Sequence, residues 1–176
     1  QLAHRVGQHL INRFGDGTYP LGGPCSRWYN AVDNQWTYEV PEDGPAPEYA
    51  SNPPASGPHY PRWAKYQAHD NAVPRGYWVG NLERGGVVMA YHPDAPADEI
   101  AKFKDAYARI TNHWPCGHKM TLLTPDPLLP VETPFYIITW DAFMRASCVE
   151  DWPFIGYAQE MRFGRTTSMC DDGTYP

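Results

Sequence analysis

The distribution of proline and glycine constrains the fold of this chain more than any other feature. The 176 residues include 19 Pro and 15 Gly, and residues 15–78 consist mostly of turn-forming residues and aromatics without a regular period. Proline removes a backbone donor and glycine favours turns, so few helices or strands are expected there. Seven Trp, twelve Tyr and six Phe supply a large apolar area, which argues against disorder. The sequence therefore predicts one loop-rich globular domain.

Regular elements are predicted mainly in the second half of the chain. Val87–Tyr91, Met120–Leu123 and Phe135–Trp140 are typical of buried strands. Helices are predicted from Pro96 to about Asn112 and from Trp152 to Phe163, the second with Asp151 as its N-cap. This β-α-β-β-α order indicates an α+β fold, a small sheet with helices packed on one face. A short amphipathic helix at 1–14 and a hairpin near Arg27–Val40 complete the prediction.

Three segments are predicted within this single globular unit. Residues 1–48 form an N-terminal helix and loop extension, residues 49–165 the core domain, and residues 166–176 a C-terminal tail.

Four widely spaced cysteines, Cys25, Cys116, Cys148 and Cys170, include no C-x-x-C pair. In a loop-rich domain this pattern favours two disulfides, and hence a secreted, periplasmic or cell-surface protein. Three pairings are open; we favour Cys25–Cys170 with Cys116–Cys148, because chain termini often lie close together. The alternative is four free, buried thiols. Gln1 is then expected to be the residue left after removal of a signal peptide.

The net charge of the chain is −6, which offers no electrostatic footprint for a nucleic acid. No apolar run approaches the roughly 20 residues that a membrane-spanning helix needs. Neither a nucleic-acid partner nor a transmembrane segment is therefore expected.

Two segments carry the chemistry. Asn52–Pro61 is a proline-bracketed loop that presents His59, and Val79–Gly86 contains Glu83 and Arg84. Together they resemble a bacterial family of exported proteins known only as a domain of unknown function (DUF3105). The family pattern reads Ser-Gly-Pro-His in the first segment and Val-His-x-Leu-Glu-His-Gly in the second, and the resemblance covers roughly residues 49 to 165. In this chain Gly80 and Arg84 stand where the pattern has its two later histidines.

The resemblance implies a degenerate histidine site. The family's three histidines and one glutamate suit copper or zinc, whereas this chain keeps only His59 and Glu83. A retained copper or zinc site would need a recruited histidine, His92 or His69. Alternatively, the loop is structural, with His59 hydrogen-bonded to backbone and Arg84 paired with Glu83 or Asp70. A third interpretation is a small-molecule or anion site that uses Arg84, Tyr60 and Trp63.

Other motifs give weaker hypotheses. The cluster His113-Trp114-Pro115-Cys116-Gly117-His118 matches no standard zinc spacing. Ser56 lacks a hydrolase elbow, and no two carboxylates are paired as acid and base, so no catalytic residue is assigned. The carboxylates considered are Asp126, Glu132, Asp141, Glu150 and Asp151.

The aromatic loop region suggests a platform for sugars or Pro-rich peptides, although buried rings beneath long loops are the commoner outcome. The rings concerned are Trp28, Tyr29, Trp36, Tyr38, Trp63, Tyr66 and Trp78.

One pentapeptide, Asp-Gly-Thr-Tyr-Pro, occurs twice, at 16–20 and at 172–176. It indicates either two similar turns or one unit of a longer tandem array.

The sequence as a whole predicts an exported, non-catalytic binding or structural domain without a cofactor, whose partner is itself or an extracellular assembly. A copper- or zinc-binding protein is the alternative, and an enzyme of unknown type is the third hypothesis.

Overall fold

A five-stranded sheet with helices on both faces forms the body of the protein. The computed structural model describes residues 25–111, 116–160 and 170–176, so the predicted helix at 1–14 and the first pentapeptide lie outside the described residues. The strands are β1 (Arg27–Ala31), β2 (Val87–Tyr91), β3 (Thr121–Pro125), β4 (Phe135–Thr139) and β5 (Ala142–Ala146). The helices are α1 (Arg75–Glu83), α2 (Ala97–Arg109) and α3 (Asp151–Glu160). The predicted α+β class is confirmed.

The strands lie in the order β1-β5-β4-β2-β3. β2 and β3 pair in parallel, from Val87 opposite Thr121, and α2 supplies the crossover that a parallel pair needs. All other pairs are antiparallel, and β4 and β5 form a tight hairpin. Asp141 turns this hairpin with a φ of 60°, and its N–H donates to the Ala55 carbonyl at 2.9 Å. The hairpin is thereby fastened to the loop that carries His59.

Both faces of the sheet are buried, so the prediction of helices on one face only is wrong. Along β2, Val87, Met89 and Tyr91 contribute to the core beneath α2 and α3, whereas Val88 and Ala90 contribute to the core beneath α1. Strands that are apolar at every position need a cover on each side. The second cover is α1 together with the long loop region, which holds the histidine site.

Helix α1 and strand β5 were not predicted, and the segment Arg27–Val40 was misassigned. The segment Arg27–Ala31 is a strand, but it pairs with β5 from Arg27 opposite Ala146, so the predicted local hairpin is wrong. Helix α1 was missed because seven of its nine residues are buried, which leaves no amphipathic period to recognise. It begins after Pro74 and ends at Glu83. Arg84 is its C-cap, and Gly85 follows with a positive φ of 84°.

The described cysteines form two disulfides, as predicted, but the favoured pairing is wrong. The bonds are Cys25–Cys148 and Cys116–Cys170. The reason is the β1–β5 pairing, which continues into a bond from the Ser147 N–H to the Ser26 carbonyl at 2.9 Å and so brings Cys25 beside Cys148. The bonds close sequence separations of 123 and 54 residues. The chain-entropy model assigns about 4–5 kcal/mol of stabilisation to each.

Candidate functional site

The loop that carries His59 is fixed by the preceding segment of chain. Residues 53–60 are all buried, and the Ser56 hydroxyl accepts the Gln35 N–H at 2.9 Å. Gly57 has a φ of +115°, and a Cβ there would lie 2.9 Å from Gln35 Oε1, so glycine is required. The His59 N–H donates to the Tyr38 carbonyl at 3.0 Å, and its carbonyl accepts the Val40 N–H at 2.9 Å. The backbone at His59 therefore has little freedom.

The His59 imidazole is enclosed by protein groups. Its side chain is 2 % exposed, and Nε2 lies 3.0 Å from Glu83 Oε2. Nδ1 lies 3.4 Å from the Gly57 carbonyl oxygen. Both neighbours are hydrogen-bond acceptors, so neither ring nitrogen faces open space. Glu83 is part-exposed, with 29 % of its side-chain surface accessible.

The other motif positions come from α1. Arg84 Nη1 donates to the Gly80 carbonyl at 3.0 Å and lies 3.5 Å from Glu83 Oε2. Its guanidinium carbon is 3.9 Å from the centre of the Trp63 ring, a close cation–π geometry. Of the two predicted partners of Arg84, the structure thus shows Glu83; Asp70 is an exposed residue.

Gly80 faces the same space. A Cβ at this position would lie 3.6 Å from His59 Cδ2 and 3.5 Å from Arg84 Nη1. Its third neighbour would be the Trp63 Cβ at 3.3 Å, close enough that Trp63 would have to shift slightly. The fold therefore brings all four motif positions together: His59, Gly80, Glu83 and Arg84.

This set of side chains supplies two metal donors, His59 and Glu83, and one fixed cation. Among the described residues no group of three or more His, Cys, Asp or Glu could hold a metal ion. His92 follows β2 at the end opposite the α1–β2 turn, and its Nδ1 accepts the Asp94 N–H at 3.0 Å. His69 Nε2 lies 3.0 Å from the Lys65 carbonyl. Each histidine considered for recruitment already has a partner of its own.

The other residues considered from the sequence, which are carboxylates, His113 and aromatic rings, do not form a second site in the described part of the chain. Arg75 pairs with Asp126 at 2.8 Å, and Arg27 with Glu150 at 3.4 Å. His113 lies outside the described residues. Of the aromatic platform, Tyr29 and Trp78 are buried, and the strongly exposed rings in the described part of the chain are Trp36 and Tyr38. The three exposed neighbouring rings that a platform requires are therefore not observed in that part.

Tyr60 belongs to a different surface, an open cleft of about 570 Å³. Tyr49, Tyr60, Pro74 and Leu128 form its apolar walls, and Arg75 contributes charge. The Tyr60 ring lies on Gly76, where a Cβ would approach it to 2.5 Å. Burial raises the pKa of Tyr49 far above its ordinary value. The lining of the cleft is mostly apolar.

Asn81 was missed by sequence reasoning. It is fully buried on α1 beside Gly80, and its amide clamps Ala64 from both sides. Nδ2 donates to the Ala64 carbonyl at 2.8 Å, and Oδ1 accepts the Ala64 N–H at 3.0 Å. The sequence does contain a signal that could have identified it, because Asn81 is the single polar residue in the otherwise apolar run Tyr77–Leu82.

The comparisons with known proteins agree with the motif. The model of the family described as Protein of unknown function (DUF3105) matches residues 42–172, most of the chain. The chain belongs to this family. For this DUF3105 member, searches of curated proteins and of solved structures found no match. None of the described helices combines the length and the apolar character required to cross a bilayer.

Proposed function

We propose that this DUF3105 protein is an exported, non-catalytic binding or structural domain whose histidine site is closed by Arg84. One observation carries the proposal: Arg84 Nη1 lies 3.5 Å from Glu83 Oε2, the same oxygen that lies 3.0 Å from His59 Nε2. The Gly80 carbonyl and the Trp63 ring hold the guanidinium there. Each of these contacts is made with another part of the same chain. The space that a bound ion would need is thus lined with a charge of the wrong sign.

The electrostatics of the site support the proposal. A guanidinium stays protonated at every pH that a protein survives, and it lies 3.5 Å from the carboxylate that a metal would need. Glu83 therefore already has two partners, His59 and Arg84. Export is supported by the two disulfides, which persist in oxidising compartments. The open cleft beside Tyr60, with its largely apolar lining, supports a binding role.

A copper- or zinc-binding protein is the alternative, and one observation favours it. His59 Nε2 and Glu83 Oε2 are 3.0 Å apart, so the two retained ligands converge on one point. Copper and zinc both accept imidazole and carboxylate ligands. This function would require a third ligand, His92 or His69, to leave its present partner.

Metal content after dialysis against zinc or copper separates the two functions. The wild type is compared with Gly80→His/Arg84→His, which restores the histidines of the family pattern, and with Gly80→Ala/Arg84→Gln, which adds no ligand. We expect no bound metal in the wild type and in the control, and about one equivalent in the restored variant. About one equivalent in the wild type, lost in His59→Ala, would establish the alternative. A folded restored variant without metal would show that Gly80 and Arg84 are not what closed the site.

A further inference from the structure

The second pentapeptide, Asp172–Pro176, pairs with the backbone of residues 63–65. The Tyr175 N–H donates to the Trp63 carbonyl at 3.1 Å, and the Tyr175 carbonyl accepts the Lys65 N–H at 3.0 Å. Ala64 and Tyr175 thereby form a parallel bridge. Backbone pairing of this kind is a general mode of peptide recognition, in which side-chain pockets provide the specificity.

Three side-chain positions of the pentapeptide are selected by what they contact. Asp172 Oδ1 accepts the Tyr66 N–H at 2.8 Å and the Gly173 N–H at 2.8 Å. A Cβ at Gly173 would lie 2.1 Å from the Ala64 carbonyl oxygen, so no residue larger than glycine fits. The Tyr175 ring stacks on Tyr77, with ring centres 3.8 Å apart and planes inclined by 22°. Aspartate, glycine and tyrosine are thus each required at their own position.

The receiving surface, Trp63–Tyr66 with Tyr77, is called the pentapeptide groove here. It is held rigid from behind, because Asn81 clamps Ala64 and Arg84 supports the Trp63 ring. The Tyr77 hydroxyl donates to Glu42 Oε2 at 3.0 Å, which fixes the ring on which Tyr175 stacks. A groove that is ordered by its own chain loses little entropy when a peptide binds.

The same five residues occur a second time in the chain, at 16–20. We propose that the pentapeptide groove is a receptor for Asp-Gly-Thr-Tyr-Pro and that Asp16–Pro20 of a second copy of this chain is its other occupant. The structure does not describe Asp16–Pro20; what carries the proposal is the match between this sequence and the three contacts of the groove. Such a contact is heterologous, so it links copies head to tail. This inference rests on the proposed function, because it names a second copy of the chain as the partner of a structural domain.

The two occupants compete on unequal terms. Cys170 is joined to Cys116 by a disulfide and lies two residues before Asp172, so Asp172–Pro176 is tethered close to the groove. A short tether gives an effective concentration of roughly millimolar, which a second molecule at lower concentration cannot match. Exchange between copies therefore becomes measurable when the tethered occupant is weakened.

The test uses the full chain with Gly173→Ala, which drives Asp172–Pro176 out of its groove. Analytical ultracentrifugation should show concentration-dependent association of this variant, and Gly173→Ala/Gly17→Ala should return to the monomer. A synthetic Asp-Gly-Thr-Tyr-Pro peptide should dissociate the assembly, whereas Asp-Ala-Thr-Tyr-Pro should not. A fluorescent form of the first peptide should bind Gly173→Ala more tightly than it binds the wild type, by about tenfold or more, because the tethered competitor is removed.

Two results would overturn the proposal. One is a folded Gly173→Ala protein that binds no labelled peptide; the other is association that the added Gly17→Ala leaves unchanged. Tyr175→Ser serves as a second variant with the same expected results, since it removes the stacking without a backbone clash, in case Gly173→Ala does not fold. None of these substitutions alters His59, Gly80, Glu83 or Arg84, so the metal measurements test the proposed function separately.

Discussion

Replacing Asn81 by alanine tests whether the helix–loop clamp holds this face of the protein together. Asn81 and Ala64 are both fully buried and are joined by two hydrogen bonds of 2.8 and 3.0 Å. Asn81→Ala leaves the Ala64 N–H and carbonyl without the clamp, and each buried polar group that loses its partner costs about 1–3 kcal/mol. We therefore expect the free energy of unfolding to fall by about 2–6 kcal/mol, a large part of the roughly 5–15 kcal/mol of a typical domain.

Urea denaturation followed by tryptophan fluorescence, with both disulfides intact, measures this loss. Asn71→Ala is the matched control, because Asn71 is exposed and its replacement should change stability by no more than about 0.5 kcal/mol. Amide exchange at Lys65 and Tyr175 should also accelerate in Asn81→Ala, since both lie on the strand pairing that Ala64 centres. A loss below about 1 kcal/mol, similar to that of the control, would refute the clamp.

Two further predictions concern buried charge and ionisation. Arg84→Lys keeps the charge but removes the planar group stacked on Trp63; it should cost about 1–2 kcal/mol in the same denaturation assay and alter the near-ultraviolet circular dichroism. An unchanged spectrum and stability would show that the stacking contributes nothing. Burial raises the pKa of three tyrosines to about 12, against 10.0 for an unperturbed tyrosine: Tyr29, Tyr66 and Tyr107. Their folded pKa lies above the unfolded one, so their contribution to stability is complete below pH 10 and declines as pH rises towards 12. As the pH rises across that range, the thermal unfolding temperature should fall while the phenolate absorbance rises. A constant unfolding temperature would contradict this prediction.

The predictable parts of the fold were those with a clear local pattern. Val87–Tyr91 was placed at its observed bounds because five consecutive apolar residues are followed by His92-Pro93-Asp94. Helix α2 shows a single apolar stripe, and its observed end, Arg109, lies close to the predicted one. By contrast, β5 (Ala142–Ala146) carries an arginine and two alanines, which give a weak strand signal.

Long-range pairing could not be read from local pattern. The favoured disulfides followed a general tendency of chain ends, whereas the actual bonds follow the register of β1 on β5. The resemblance named His59 and Glu83 as members of one site, and their side chains lie 3.0 Å apart in the structure. The position of Arg84 over Trp63, by contrast, depends on how the segment after Pro61 folds back on α1, and no local period in the sequence encodes that path.

Strand β3 forms one edge of the sheet, where another chain could add a strand. An edge strand exposes unpaired N–H and carbonyl groups that can template uncontrolled strand addition and aggregation. Here the Leu123 N–H donates to the Gln67 carbonyl at 3.0 Å, and the Leu123 carbonyl accepts the His69 N–H at 2.8 Å. The stretch of chain that runs from the pentapeptide groove to His69 thus also shields this edge. Strand addition at β3 requires its prior detachment, a local opening that amide exchange at Leu123 reports directly.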